Sequence, residues 1–129
     1  MKAVFLDYAT VSFDGDLDPA ALQRALPGID VRAHTIQDQV ADVIAGAEAV
    51  LMNKLRLTRE VMEHTPTLRL IAVAATGTNN IDLAAARERG IAVCNLRDYC
   101  TASVVQHVYG VLLLLTHKLR EYDQRVRSG

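Results

Sequence analysis

Residues 70–82 read LIAVAATGTNNID and join an apolar run to a polar, glycine-containing turn. The run, residues 70–75, is too short to span a membrane and has the length of a strand buried on both faces of a sheet. The turn ends at Asp82, which is placed to cap a helix over residues 83–89. Backbone amides in such a turn, beside a helix start, suit a carboxylate or a phosphate. The same pattern also fits an ordinary βα turn that binds nothing.

Short apolar segments alternate with helical patterns along the first hundred residues. Four further strands are predicted at residues 2–6, 29–33, 49–52 and 91–94, with helices beginning near residues 19, 36, 58 and 82. Because parallel strands need crossovers that carry helices, this order predicts a doubly wound α/β domain, and five strands favour the flavodoxin-like order 2-1-3-4-5. Ligands bind beyond the carboxyl ends of such strands, which selects four loops, residues 7–10, 53–55, 75–79 and 95–101.

The composition fits one soluble domain with a hydrophobic core. The chain has 129 residues, of which 50% are hydrophobic, and a formal net charge of -1. Its 14 basic and 15 acidic residues are scattered, so we expect no nucleic-acid partner. No segment has the length of a membrane span or the form of a signal peptide, which favours a cytoplasmic protein without a membrane partner. The two cysteines do not form a disulfide framework, and the four histidines lack metal-ligand spacing, so no metal site is expected.

The last 29 residues differ from the rest of the chain. Residues 101–127 contain no proline and repeat apolar side chains every three or four positions, which predicts one long helix of about 40 Å that protrudes from the sheet domain. A run of four leucines, residues 112–115, makes this helix apolar all the way round. We therefore expect a domain at residues 1–100, a connecting helix at residues 101–129, and burial of that helix against a missing domain or in a homodimer.

Several motifs occur in a fixed order: ATGTNNID at residues 75–82, GIAVCN at 90–95, and YCTASVVQH at 99–107 followed by the leucine run. In this combination the whole chain resembles the D-isomer-specific 2-hydroxyacid dehydrogenases, in particular the glycerate dehydrogenase or hydroxypyruvate reductase branch. The resemblance identifies the chain as the first part of the substrate-binding domain. Gln106, Val105 and Asn79 depart from the commonest residues of the family, and the first and last of these departures are familiar in the glycerate dehydrogenase branch.

The resemblance implies a set of site residues. The amides of Thr76 and Gly77, flanked by Ala75, would hold the carboxylate of a small 2-oxo or 2-hydroxy acid. Asn53 and Lys54 would edge the same pocket, although a solvated loop lysine is an equally good interpretation of Lys54. The remaining expected site residues are Tyr99, facing the substrate, and Thr101, Ser103 and Val104, near the nicotinamide end of the cofactor.

By the same resemblance, the parent enzyme uses NAD or NADP and reduces a small 2-oxo acid such as hydroxypyruvate or glyoxylate. No GxGxxG motif follows a strand in these 129 residues. The nucleotide-binding domain, with the catalytic arginine, glutamate and histidine, would follow Gly129. We therefore expect no catalytic residue in this chain, no tight cofactor binding and no activity of the chain alone.

Two other interpretations fit the topology. A non-enzymatic receiver-like or interaction module would explain Asp7 after the first strand and Thr76 or Thr78 after the fourth, but Asn53 stands where a phosphoacceptor aspartate would be needed. An excised flavodoxin-like half would hide its leucine-rich segment by pairing two long helices, for instance in a swapped dimer.

Overall fold

The computed structural model describes all of residues 1–129 and contains one sheet of five parallel strands. The strands are β1 (Ala3–Phe5), β2 (Asp30–Val31), β3 (Ala49–Met52), β4 (Leu70–Val73) and β5 (Ala92–Asn95), in the order β2-β1-β3-β4-β5. They alternate with helices α1 (Ala20–Ala25), α2 (Val40–Val43), α3 (Arg59–Glu63) and α4 (Leu83–Glu88). The predicted flavodoxin-like topology is confirmed.

One face of the sheet carries the hydrophobic core. Side chains from alternate strand positions are buried there with residues of α2, α3 and α4 and their flanks. The largest of them that are fully buried are Val4, Leu6, Val40, Ile44, Val50, Met52, Leu57, Met62 and Ile71. Each such side chain contributes about 1.5–3 kcal/mol when fully buried, so this layer fixes the three helices on the sheet.

The opposite face is less covered over β4 and β5. Leu70 and Ala72 are half-buried, and their register partners on β5, Ala92 and Cys94, are exposed. The expectation that β4 is buried on both faces is therefore wrong for this side. The reason is that α2, α3 and α4 all pack against the first face.

Local sequence signals set the ends of the helices in this sheet. The Thr58 hydroxyl accepts a hydrogen bond from the amide of Val61 at 3.4 Å, and the Asp82 carboxylate accepts one from the amide of Ala85 at 2.8 Å. Both residues act as the predicted N-caps of α3 and α4. Gly90 follows α4 with φ +68°, a left-handed conformation that glycine adopts without strain.

The helix predicted at residues 36–45 is shorter than expected. A 3-10 turn over Gln37–Gln39 precedes the four-residue α2. The Gln37 side chain donates to the carbonyl of Arg56 at 3.0 Å and accepts from its amide at 2.9 Å. This pairing ties the turn to the loop after β3, a long-range contact that the local periodicity does not contain.

The chain divides into two compact units, Met1–Arg97 and Asp98–Gly129. The second unit contains the expected C-terminal helical segment, but in two parts, α5 (Thr101–Thr116) and α6 (Leu119–Ser128). Lys118 between them has φ 51°, which interrupts the helix and shortens α5 to about 24 Å. Near this point the Thr116 hydroxyl donates to the carbonyl of Leu112 at 2.8 Å, an arrangement that bends helices.

Every residue of α5 and α6 is exposed, although α5 contains no charged side chain. Its large exposed apolar residues are Val104, Val105, Val108, Tyr109, Val111, Leu112, Leu113, Leu114 and Leu115. None of the helices combines the length and the apolar character needed to cross a lipid bilayer. An uncharged helix with this much apolar surface in water is typical of a segment that packs against other protein.

Candidate functional site

A cleft of about 340 Å³ lies at the carboxyl ends of β3 and β4. It is lined by Asn53, Lys54, Ala75, Gly77, Asn79 and Asn80. Four of the predicted site residues are thus brought together by the two loops that follow neighbouring strands. This is the position at which open α/β sheets bind small ligands.

The loop after β4 leaves the backbone amides of residues 75–80, Thr76 and Gly77 among them, without a protein acceptor. Beyond the last sheet contact, from the amide of Ala74 to the carbonyl of Met52 at 2.8 Å, the amides of Thr76 and Gly77 donate to no protein group. Both residues are exposed. The loop is held by its carbonyls instead, since the Thr76 carbonyl accepts from the Asn95 side chain at 2.7 Å and the Ala75 carbonyl from the amide of Leu96 at 3.1 Å. Paired free amides of this kind bind an anion without adding a titratable group.

Gly77 leaves this loop open because it has no side chain. A Cβ atom at this position would stand 3.0 Å from Oδ1 of Asn79, and the φ of Gly77 is not in the left-handed region. The glycine therefore leaves space at this point of the loop, in a backbone conformation that other residues also adopt. The neighbouring Ala75 packs partly against the core, which anchors the base of the loop.

The helix start proposed beside this turn contributes less than expected. Helix α4 begins only at Leu83, and its capping residue Asp82 already occupies the amide of Ala85. The donors available in the cleft are those of the loop itself. The interpretation of the turn as an amide concavity for an anion stays a prediction, and it does not require the helix dipole.

A polar network that the sequence interpretation missed holds the loop after β3. The buried Asp7 carboxylate accepts from the amides of Asn53 and Lys54 at 2.9 and 2.7 Å. The Asn53 side chain, also buried, donates to the hydroxyl and carbonyl of Thr10 at 2.9 and 3.2 Å. The Asn80 side chain donates to the carbonyls of Asn53 and Leu55 at 3.0 and 2.9 Å. Asp7 could have been found from its place directly after β1, the strand that neighbours β3.

The charges around the cleft are simply arranged. Lys54 is exposed and forms no salt bridge, so its ammonium group is available to an anion. The exposed ion pair of Arg59 and Glu88, at 2.6 Å, joins α3 to α4 and does not line the cleft. Its hydrogen bond and charge lower the pKa of the Glu88 carboxyl.

Of the remaining predicted residues, Thr76 lies in the first unit but is not among the residues that line this cleft. The others belong to the second unit. Tyr99 and Val104 are 61% and 54% exposed. Thr101 begins α5, and the Ser103 hydroxyl donates to the carbonyl of Cys100 at 2.9 Å. Their predicted roles toward substrate and cofactor stay predictions. No three His, Cys, Asp or Glu side chains come together as a metal site.

A parallel α/β sheet with a small polar cleft beyond two neighbouring strand ends has the architecture of open α/β domains that bind small ligands at this edge. A family model described as "D-isomer specific 2-hydroxyacid dehydrogenase, catalytic domain" matches residues 10–122. The chain belongs to this family, as its motifs predicted.

Known relatives agree with this assignment. The chain is 37% identical over 131 residues to a hydroxypyruvate reductase of Blautia hydrogenotrophica, covering 100% of this chain and 40% of the relative. It is 38% identical over 92 residues to a glycerate dehydrogenase of Methylorubrum extorquens, covering 71% of this chain and 29% of the relative. The chain therefore spans well under half the length of these relatives.

Solved structures show the same fold. The D-lactate dehydrogenase of Aquifex aeolicus, determined with NAD and lactic acid, matches with a TM-score of 0.77 at 22% identity. The match covers 98% of this chain and 37% of that chain. At this level of identity the likeness establishes the architecture of the sheet and its helices.

Proposed function

We propose that the chain is the substrate-binding part of an NAD(P)-dependent oxidoreductase. The enzyme would reduce a small 2-oxo acid, hydroxypyruvate or glyoxylate, to the D-2-hydroxy acid, glycerate or glycolate. The observation that carries the proposal is the cleft between two loops. One loop presents Gly77, whose amide is free like that of the adjacent Thr76, and the other presents Asn53 and Lys54. The names of the relatives, a hydroxypyruvate reductase and a glycerate dehydrogenase, support this substrate class.

The chemistry of the cleft suits a carboxylate of this size. Two backbone amides can each donate a hydrogen bond to one oxygen of a carboxylate group, and hydrogen bonds to charged acceptors contribute about 1.5–3 kcal/mol each. Lys54 adds a positive charge that raises the encounter rate of small anions. Since immobilising the ligand costs at least about 4 kcal/mol, most of this gain is offset, and we expect weak binding, with a dissociation constant on the order of tens of millimolar.

Hydride transfer needs more than this cleft supplies. The nicotinamide cofactor would provide the hydride, and the cleft lining includes no histidine or carboxylic acid that could exchange a proton with the substrate. Thr101, Ser103 and Val104 could edge the nicotinamide, but no glycine-rich strand-turn-helix in these residues would hold the rest of a dinucleotide. We therefore propose that the chain alone binds substrate and does not turn it over. The cytoplasm is the compartment we propose for the enzyme.

We also propose that two chains associate through residues 101–127. The support is the exposed and uncharged surface of α5, on which the apolar side chains are adjacent to one another and not scattered singly. Sedimentation equilibrium should give the mass of a dimer. At a concentration of about 1 mM even a weakly associating pair would be populated, so a monomer at that concentration would refute this part of the proposal.

The receiver-like alternative has no specific observation in its favour. The position after β3 that would need a phosphoacceptor carboxylate is Asn53, and its side chain is buried in hydrogen bonds to Thr10. If the protein takes up no label from an isotopically labelled small phosphoryl donor, the result would agree with this choice. Stable labelling of the protein would overturn it.

The substrate proposal is tested by titrating the ¹⁵N-labelled chain with D-glycerate and following amide resonances. We expect saturable shifts at Gly77, Thr76 and Lys54, and none with glycerol, which lacks the carboxylate. Shifts that are equal for both compounds, or that avoid these three amides, would contradict the proposal. In a separate assay, oxidation of NADH or NADPH by hydroxypyruvate should be undetectable with the chain alone.

A further inference from the structure

Just beyond the end of β3, the Asp7 carboxylate accepts the hydrogen bonds that main-chain carbonyls of a neighbouring strand would otherwise accept. Main-chain pairing between β1 and β3 ends where the amide of Leu6 donates to the carbonyl of Leu51 at 2.9 Å. Beyond that point the amides of Asn53 and Lys54 donate to Oδ1 and Oδ2 of Asp7 at 2.9 and 2.7 Å. Asp7 is 4% exposed and forms no salt bridge. Both of its oxygens are therefore committed to this loop, in charge-assisted hydrogen bonds.

Asn80 holds the same loop from the other side and through the opposite kind of group. Its side-chain NH₂ donates to the carbonyls of Asn53 and Leu55 at 3.0 and 2.9 Å. The backbone carbonyl of Asn80 accepts from the backbone amide of Leu57 at 2.9 Å. Asp7 thus binds the loop's donors and Asn80 its acceptors, which leaves the backbone of residues 53–55 little freedom to move.

We propose that Asp7 and Asn80 are positioning residues of the cleft. By fixing the backbone of residues 53–55 they fix the point from which the Lys54 ammonium reaches a carboxylate bound by the amides of Thr76 and Gly77. Asp7 is not part of the cleft lining, so it acts through the loop and not on the ligand. The inference rests on the proposed function, because the site that is positioned is the substrate site.

The test uses the isosteric substitution Asp7→Asn in the ¹⁵N-labelled 129-residue chain. Asparagine keeps one acceptor oxygen and turns an NH₂ group toward the second amide, so one hydrogen bond is replaced by an opposition of two donors. We expect faster hydrogen exchange at the amide of Asn53 or Lys54, with the core strands unchanged. The dissociation constant for D-glycerate should rise by up to about threefold, the loss expected on removing the Lys54 charge itself, since the loop no longer presents Lys54 in one geometry.

The matched control is Thr67→Val, at the amino ends of the strands and so on the side of the sheet away from the cleft. It removes a hydrogen bond of 2.8 Å from the Thr67 hydroxyl to the carbonyl of Ala47, before the start of β4. This variant should lose stability but retain the affinity for D-glycerate. If Asp7→Asn lowers affinity no more than Thr67→Val does, or leaves both loop amides protected, the positioning role is overturned.

Two further outcomes are decided separately. Should Asp7→Asn fail to fold, Asn80→Ala tests the same claim from the other side of the loop. Because Asn80 itself lines the cleft, the decisive readout in this variant is faster exchange at residues 53–55. Unchanged exchange in Asn80→Ala would then refute the inference. If the unsubstituted chain binds no D-glycerate, the proposed function fails, and amide exchange in the two variants still shows whether Asp7 and Asn80 fix the loop.

Discussion

Substituting Gly77 by alanine separates ligand binding from folding in this cleft. The added Cβ would stand 3.0 Å from Oδ1 of Asn79. That oxygen ends an exposed side chain, so a change of rotamer relieves the contact at a cost of about 0.5–1.5 kcal/mol at most. The alanine also lowers the entropy of the unfolded chain, which stabilises the fold by about 0.4–1 kcal/mol. The free energy of unfolding should therefore change by no more than about 1 kcal/mol in either direction.

Ligand affinity should respond far more strongly to the same methyl group. It would lie on the loop whose amides face the carboxylate, and loss of one charge-assisted hydrogen bond costs about 1.5–3 kcal/mol. Since each 1.4 kcal/mol is a factor of ten, the dissociation constant for D-glycerate should rise by about 10- to 150-fold. NMR titration measures the affinity, and thermal unfolding of the same sample measures the stability.

A double-mutant cycle identifies the cause of any loss. Asn79→Ala removes the side chain that the new methyl group would displace, so Gly77→Ala is also measured in that background. If the methyl group blocks the amides, the loss of affinity is the same in both backgrounds. A loss that disappears when Asn79 is absent would show that displacement of this side chain is responsible. Unchanged affinity of Gly77→Ala in the original background would refute the assignment of the carboxylate to this loop.

Three further predictions concern single side chains. Lys54→Met keeps the length of the side chain and removes its charge, so D-glycerate affinity should fall by about threefold in low salt, with a smaller difference in high salt; an equal loss at both ionic strengths would contradict a steering role. Because the pKa of Glu88 is lowered by Arg59, this pair stabilises the fold above the ordinary value of 4.5, and the contribution is lost as the pH falls through the lowered pKa. Urea unfolding of Glu88→Gln should show a smaller loss of stability over that acid range than the unsubstituted chain. Asp82→Ala removes the N-cap of α4 and should cost about 1 kcal/mol, or about 4–8 °C in the unfolding midpoint, as measured by circular dichroism.

Those parts of the fold that depend on local chemistry could be predicted from the sequence. Apolar runs of strand length, caps such as Thr58 and Asp82, and glycine at the end of α4 act over a few residues, and the structure confirms each of them. The strand order followed from the alternation of elements and the handedness of crossovers. In the same way, the sequence alone places the loops that carry Asn53 and Gly77 at the carboxyl ends of the strands.

Long-range contacts set the features that the sequence could not specify. The helix near residue 36 is shortened by the pairing of Gln37 with Arg56, nineteen positions away. The break at Lys118 falls at a residue with no special backbone preference, so neither proline nor glycine marks it. The hydrogen bonds of Asp7 to the loop after β3 span 46 and 47 positions. The pairings of Gln37 and Asp7 form only when the folded sheet brings distant segments together. The periodicity of the sequence contains no information about them.

The two walls of the cleft are built in opposite ways, and this difference bears on function. Around residues 53–55, two backbone amides are held by the Asp7 carboxylate and two backbone carbonyls by the Asn80 side chain, so this wall presents side chains from a fixed backbone. Around residues 76–77 the amides are free, so this wall presents the backbone itself. Leaving two donors without protein partners adds nothing to the stability of the chain, whereas it suits an anion of one definite shape. We therefore expect a carboxylate to bind at the open amides, and the NMR titration with D-glycerate decides between this site and an ordinary βα turn.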